Sequence, residues 1–266
     1  MPSSPGSDET GGGANSMVAG RPCPPRSRVL AVARGVAWLT LPRERVDRSS
    51  AQALCDAVEE IAFDESVRVA VVQGSRRAFC VGVEDGGEWE AQHDWVAAVG
   101  TLTVPVIAAI GGDALAEGAE LALACDVQIA SARARFAFPH ALEGRLPRHG
   151  ATQRLPRAVG RMRALDLLLS GRRIAAAEAE RIGLISEVVP AGRLGAAVRQ
   201  RVAALCAKGP VALRLGKEAV HKGIDLTLEQ GIRLEQDLYV LLQTTHDRGA
   251  GVRAFLAKRR PRFGGR

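Results

Sequence analysis

The chain has 266 residues, 47% hydrophobic and 24% charged, so it is neither disordered nor fibrous and is long enough for one large α/β domain or two small ones. Aromatic residues are only 4%, so the core has to be built from Ala, Val, Leu and Ile. The net charge is +7, and no apolar run approaches the ~18–20 residues of a membrane span, which predicts a soluble protein.

Residues 1–27 hold five Gly, five Pro and five Ser without apolar periodicity, which predicts a disordered N-terminal extension. Asp8 and Glu9 do not suit a transit peptide, and Met17 is a candidate alternative start. Val29–Ala33 and Val36–Leu41 flank Arg34-Gly35 and predict a hairpin. Ser49 is placed to cap a helix reaching Phe63, with Ala53, Leu54, Ala57, Val58 and Ile61 on its apolar face. Val67–Gln73 is a β-branched run of the kind buried on both faces of a sheet. A loop from Gly74 to Gly87 follows, then a short helix around Trp89–Val99 and a strand Val104–Ile110. Gly111-Gly112 turns the chain into a helix from Leu115 to Cys125, and Val127–Ala130 is another strand. This alternation is the pattern of parallel crossover units. Helical spacing then dominates in Thr152–Val159, Ala164–Leu169, Ala175–Ile182, Leu194–Ala207, Pro210–Lys222 and Thr227–His246, with a short piece at Arg253–Lys258.

The cysteines (Cys23, Cys55, Cys80, Cys125 and Cys206) are odd in number, scattered and without CxxC spacing. That argues against a disulfide framework or a metal site and for a reducing, cytoplasmic setting. From Leu241 to Arg266 there are seven Arg or Lys and one acid, Asp247. Such a tail suits nucleic acid, an anionic membrane surface or a phosphorylated small molecule, and it also suits a plain solvated terminus.

Three places can carry chemistry. Glu120 lies in the segment Gly118 to Cys125, which is apolar on nearly every face and therefore a buried helix. A carboxylate there is either a structural group bonded to an amide or arginine, or a tuned general acid or base. The Gly-rich entry to that helix leaves free N–H groups, and the loop Phe79 to Val83 after a buried strand offers another. Two such donors can form an oxyanion hole, although glycines after strands also make ordinary turns. His140 follows Pro139 just beyond a strand, where it is either structural or, in a cleft, suited to proton transfer.

The segment Pro105 to Asp126 (PVIAAIGGDALAEGAELALACD) resembles the signature of the enoyl-CoA hydratase/isomerase (crotonase) superfamily. Ala78–Gly82, Gly150–Arg157, Gly183–Ile185 with Val188–Pro190, and Ala254–Arg259 resemble it too, in the family's order. The resemblance implies an α/β fold: a crotonase-like spiral of ββα units over residues 28–200 and a helical trimerisation region over 201–266. It also implies an acyl-CoA substrate, no cofactor beyond the coenzyme A of the thioester, and a homotrimer or homohexamer. By position, the backbone N–H groups of Val83 and Glu117 would stabilise a thioester enolate. Arg45, Ala78, Cys80 and Val81 would lie along the CoA, and Phe255 and Lys258 match tail positions that reach it, often from a neighbouring subunit. The basic tail would then meet CoA phosphates and not nucleic acid.

Departures from the family pattern bear on mechanism. Glu120 matches the first of two catalytic glutamates, but the second position holds His140. The usual Gly-Gly-Gly turn is Ala116-Glu117-Gly118, and a Gly-rich loop has become Pro147-Arg148-His149-Gly150-Ala151. Arg145, Arg148 and His149 are thus candidate pocket residues. The leading expectation is an enoyl-CoA hydratase, a lyase in which Glu120 activates water and His140 passes the α-proton. Isomerisation, decarboxylation or C–C hydrolysis on the same scaffold is the alternative, as is a non-catalytic CoA- or RNA-binding member. Cys80, Cys125 and Asp126 read as structural, and His93, His221 and His246 as exposed. Trp89 and Trp95 line the acyl pocket or pack in the core.

Overall fold

The computed structural model describes residues 29–84 and 94–266. The expected 1–27 extension, Cys23, Trp89 and His93 lie outside the described residues.

Strand β1 (Leu30–Ala33) and β2 (Val36–Thr40) form the expected hairpin, with Arg34 and Gly35 both at positive φ (54° and 77°). Both central residues at positive φ is the turn geometry that matches strand twist. The next helix, α1 (Arg48–Phe63), is capped by Asp47 and not Ser49. The Asp47 carboxylate accepts the Ser50 N–H at 2.7 Å, and Ser49 instead donates to it. Its buried face is Ser50, Ala51, Leu54, Ala57, Val58 and Ile61, so Ala51 takes the place expected for Ala53.

Strand β3 (Val69–Gln73) is followed by a short strand, β4 (Ala78–Cys80), inside the segment expected to be loop. Helix α2 (Trp95–Thr101) starts later than the expected Trp89. The remaining core runs through β5 (Val106–Ile110), β6 (Asp113–Leu115), α3 (Glu117–Ala124), β7 (Val127–Ser131), β8 (Arg135–Ala137), a 3-10 helix at Pro139–Glu143, α4 (Ala151–Val159), α5 (Arg161–Ser170), β9 (Ile174–Ala175), α6 (Ala176–Arg181) and β10 (Glu187–Val189). Residues 111 to 115 thus hold a strand where a direct turn into the helix was expected, because β6 pairs in parallel with β4.

The strands sort into two sheets. The first has the order β1-β2-β3-β5-β7-β10, parallel beyond the hairpin; the second has the order β4-β6-β8-β9, with β4, β6 and β8 parallel. The chain therefore crosses from the first sheet to the second three times, at β3 to β4, β5 to β6 and β7 to β8, and returns after each. This builds the spiral of repeated ββα units. In β3, Ala70 and Val72 face the main core while Val69 and Val71 face a second cluster. In β5, Val106, Ala108 and Ile110 face the first and Ile107 and Ala109 the second. Val198 and Val202 of α7 (Leu194–Cys206) cover that second face. Burial on both faces explains why these strands read as unbroken apolar runs. The expected 200/201 boundary falls within α7.

After α7 come α8 (Pro210–Gly223), α9 (Leu228–Gln243) and α10 (His246–Leu256). The expected Thr227–His246 helix ends at Gln243 because Thr245 caps a new one, accepting the Arg248 N–H. Neither α8 nor α9 buries a residue within the chain. Beyond α10 the tail folds back. The buried carboxylate of Asp247 accepts the N–H groups of Gly264 (2.6 Å) and Gly265 (2.9 Å), and Arg68 donates to the Phe263 carbonyl at 2.8 Å. Asp126 is structural as expected: it accepts the Val106 N–H at 2.7 Å and pairs with Lys217 at 2.7 Å. It also pairs with the half-exposed His221 at 2.9 Å. No helix among the described residues is long and apolar enough to cross a membrane.

Candidate active site

The parallel strands β4, β6 and β8 end side by side, and the segments leaving them meet at one place. From β4 the chain continues through Val81, Gly82 and Val83; from β6 it enters α3; from β8 it enters the 3-10 helix carrying His140. The approach of α3 to β4 is close. A β-carbon on Gly118 would sit 2.0 Å from the Cys80 carbonyl oxygen, so only glycine fits. Ala116, just before α3, has φ 49° and ψ −123°, a region costly for any residue with a β-carbon. It is held there by its N–H to the Ala137 carbonyl (3.0 Å) and by its own carbonyl, which accepts from Ala119 (2.9 Å) and Glu120 (3.2 Å). The strained turn survives without the usual glycines because it is bonded to β8 on one side and α3 on the other.

That turn leaves the Glu117 N–H at the first position of α3, where no carbonyl four residues back can accept it. The Val83 N–H lies in a short bridge with Val46, in which Val46 N bonds to Gly82 O (3.0 Å) and Glu84 N to Val46 O (2.9 Å). Neither the Val83 nor the Glu117 N–H meets a backbone acceptor among the described residues.

Glu120, Glu117 and His140 come together, and all three are buried. Glu120 Oε1 accepts two backbone N–H groups, from His149 and Ala151, each at 3.0 Å. Its Oε2 faces His140 Nε2 at 3.5 Å. Glu117 Oε1 lies 3.6 Å from the same ring nitrogen and accepts from Arg145 Nη1 at 3.1 Å. Both carboxylate Oε2 atoms and both His140 ring nitrogens have no hydrogen-bond partner among the described residues. Buried polar atoms of that kind mark space for a water or a ligand group.

The electrostatics follow from this packing. Burial pushes the Glu117 carboxyl up, but His140, its own backbone N–H and Arg145 outweigh burial and hold it at about 2. Burial pushes His140 down, but Glu117 and Glu120 outweigh it and raise the imidazole to about 9. At neutral pH the centre is therefore an imidazolium between carboxylates, and His140 is an acid. The sequence marks His140 only as suited to proton transfer; its charged state follows from two carboxylates that the fold brings within 3.6 Å.

Of the other expected pocket residues, Arg145 reaches the site through Glu117, bridging it to Glu143. His149 contributes its backbone N–H, while its ring bonds to Asp94 at 2.8 Å and tilts against Trp95 with centroids 5.9 Å apart. Trp95 is fully buried. Burial pushes the Asp94 carboxyl up, but the bonds from His149 and Ala97 hold it below its usual range. Sequence reading missed Asp94, which is 55 residues from its partner and has no local signal. Arg148 is exposed.

Arg45 meets the β4 exit: its Nη1 donates to the Val83 carbonyl at 3.0 Å, and Val81 N bonds to Glu44 O at 2.8 Å. Ala78 and Cys80 are buried beside it. Phe255, on α10, is 82% exposed, and Lys258 is exposed beyond it. Neither is hydrogen-bonded or ion-paired to the Arg45–Val83 group among the described residues.

Comparison with known proteins agrees with this architecture. The family model described as enoyl-CoA hydratase/isomerase matches residues 33–266. The chain is 36% identical to the 2,3-dehydroadipyl-CoA hydratase of Escherichia coli, over 84% of this chain and 91% of that protein. The crystal structure of an enoyl-CoA hydratase from Bacillus anthracis superposes with a TM-score of 0.85 at 33% identity, covering 90% of this chain and all of that one. An enoyl-CoA hydratase subunit I from Geobacillus kaustophilus gives 0.83 at 36% identity, covering 89% and 97%.

The buried cluster sets a pH dependence of stability. Glu117 is depressed from 4.5 to about 2, so its contribution is complete above 4.5 and lost as pH falls towards 2. His140 is raised from 6.5 to about 9, so its contribution is complete below 6.5 and lost as pH rises to 9. Urea unfolding should show the pair's stabilisation greatest between about pH 4.5 and 6.5. The decline from 6.5 to 9 should shrink in Glu117→Gln; an unchanged slope there would mean that Glu117 does not hold the His140 proton.

Proposed function

This chain belongs to the enoyl-CoA hydratase/isomerase family, and from that premise we propose that it is a lyase adding water across an α,β-unsaturated acyl-CoA. The observation that carries this reading is the convergence of Glu120 Oε2 and His140 Nε2, 3.5 Å apart, beside two backbone N–H groups that no backbone carbonyl takes up among the described residues.

The thioester oxygen would accept from the Val83 and Glu117 N–H groups. A loss of either donor from such a hole typically costs ~2.7–4 kcal/mol of transition-state stabilisation. Glu120 is fixed through Oε1, so Oε2 is positioned to take a proton from water as the oxygen bonds to Cβ. The C=C electrons move to the thioester as an enolate, and His140 Nε2 gives its proton to Cα. The proton on Glu120 then returns to His140 across 3.5 Å, which restores both groups. A base and an acid of different chemical type thus take the two roles, with proton inventory and charge balanced.

Around that centre, Arg45 and the Ala78–Val81 segment would lie along the CoA. Phe255, Lys258 and the exposed basic tail would meet its phosphates from a neighbouring subunit. The assembly would be a homotrimer or homohexamer. What supports this is the large apolar surface left on α8 to α10, including Ile224, Leu228, Val240 and Leu256. No cofactor is needed beyond the CoA that the substrate carries. A cytoplasmic setting suits the cysteines, since Cys55, Cys125 and Cys206 carry free thiols.

Incubation with enoyl-CoAs in heavy-oxygen water tests the reaction. Mass spectrometry should show one labelled water gained, with turnover falling ~10²–10⁴-fold in Glu120→Gln and in His140→Ala. An unlabelled isomer, or loss of carbon dioxide from a carboxyacyl-CoA, would replace hydration by another enolate reaction. Sedimentation should show three or six chains of 28.1 kDa, and a stable monomer would contradict the shared-site reading.

A further inference from the structure

Glu117 stands where a glycine would leave open space. Its Oε2 lies 3.1 Å from the point a β-carbon on Gly82 would occupy, so the carboxylate packs against the residue just before the Val83 donor. Gly82 has φ +118° and no side chain, which is what gives the carboxylate room. The N–H of the same residue, the other donor, is close enough to help stabilise the carboxylate. Yet Oε2 is buried and has no hydrogen-bond partner among the described residues. The group is held in place from behind, by Arg145 at 3.1 Å and the His140 ring at 3.6 Å.

We infer that Glu117 is a specificity-determining residue whose carboxylate covers the oxyanion hole in the free enzyme, so that a thioester oxygen enters only by displacing it. The inference rests on the hole being formed by Val83 and Glu117, as proposed above. The displaced carboxylate has a place to go. Arg145 is 29% exposed and already bridges Glu117 to Glu143, so a turn of the Glu117 side chain towards Arg145 keeps its ion pair while vacating the hole. The charged groups around it are Glu120, His140, Glu143, Arg145 and Arg45, the last with its Nη1 near Gly82.

Displacement costs the same whether the arriving oxygen belongs to a ground-state thioester or to an enolate. It therefore weakens binding of every thioester without discriminating the transition state. Free CoA has no carbonyl at that position and should bind past the covered hole unhindered. The covering residue thus separates acyl-CoA from CoA less sharply than an open hole would.

Titration calorimetry at pH 6, with butanoyl-CoA as a thioester that cannot be hydrated and free CoA as the control, tests this. Butanoyl-CoA should bind about tenfold more tightly to Glu117→Ala than to the parent, with free CoA unchanged. Glu117→Gln, which keeps the shape and is expected to fold even where Ala does not, should fall between, since a neutral amide oxygen holds the donors less strongly. Equal butanoyl-CoA affinity in parent and both variants would overturn the covering role while leaving the hole intact. If butanoyl-CoA binds no more tightly than free CoA in any of the three proteins, the hole itself is misassigned and the inference falls with it.

Discussion

Burial sets the terms at the centre of this protein, where Glu117, Glu120 and His140 share a space closed to solvent. A lone carboxylate there would be costly enough to take up a proton or unfold the site. Here the charges compensate: an imidazolium stands 3.5 and 3.6 Å from two carboxylates, Arg145 carries part of the second, and two backbone N–H groups carry one oxygen of the first. The arrangement leaves one oxygen on each carboxylate without a partner. That surplus of acceptors beside a proton donor separates a reactive centre from a structural ion pair, whose lone pairs would be satisfied.

The scaffold's part is to bring these groups to one point. Three parallel strands of the smaller sheet end together, and each leads into one part of the site: β4 into a donor loop, β6 into a helix start and β8 into the turn that carries the histidine. Contact at the meeting place is tight enough that Gly118 admits no β-carbon and Ala116 holds a strained conformation. Strain of this kind, of order 1–3 kcal/mol, persists where surrounding bonds over-determine the backbone. The bonds from Ala116 to β8 and α3 do so, and they also fix the direction of the Glu117 N–H.

Much of the fold was legible because its signals are local. The hairpin around Arg34-Gly35, the doubly buried strands β3 and β5 and the amphipathic face of α1 all follow from side-chain periodicity. The short strands β4, β6, β9 and β10 escaped, since two or three residues carry no period and owe their state to pairing across the sheet. At the site, Glu120 stood out as a carboxylate in an apolar helix, and the family pattern marked position 140. The protonated state of His140 and the Asp94–His149 bond were not legible. Each depends on groups brought together only by the fold, across 20 to 23 residues in one case and 55 in the other. The side chain of Glu117 was visible as an addition to the turn, but its packing against Gly82 depends on the space that glycine leaves.

The central claim is that His140 is a buried acid held protonated by two carboxylates, and ring-nitrogen NMR of the 15N-histidine-labelled protein tests it most directly. The account predicts that both His140 ring nitrogens carry protons at pH 7 and that the ring titrates near pH 9. A neutral ring at pH 7, titrating near its ordinary 6.5, would contradict it and leave the centre without its proton donor.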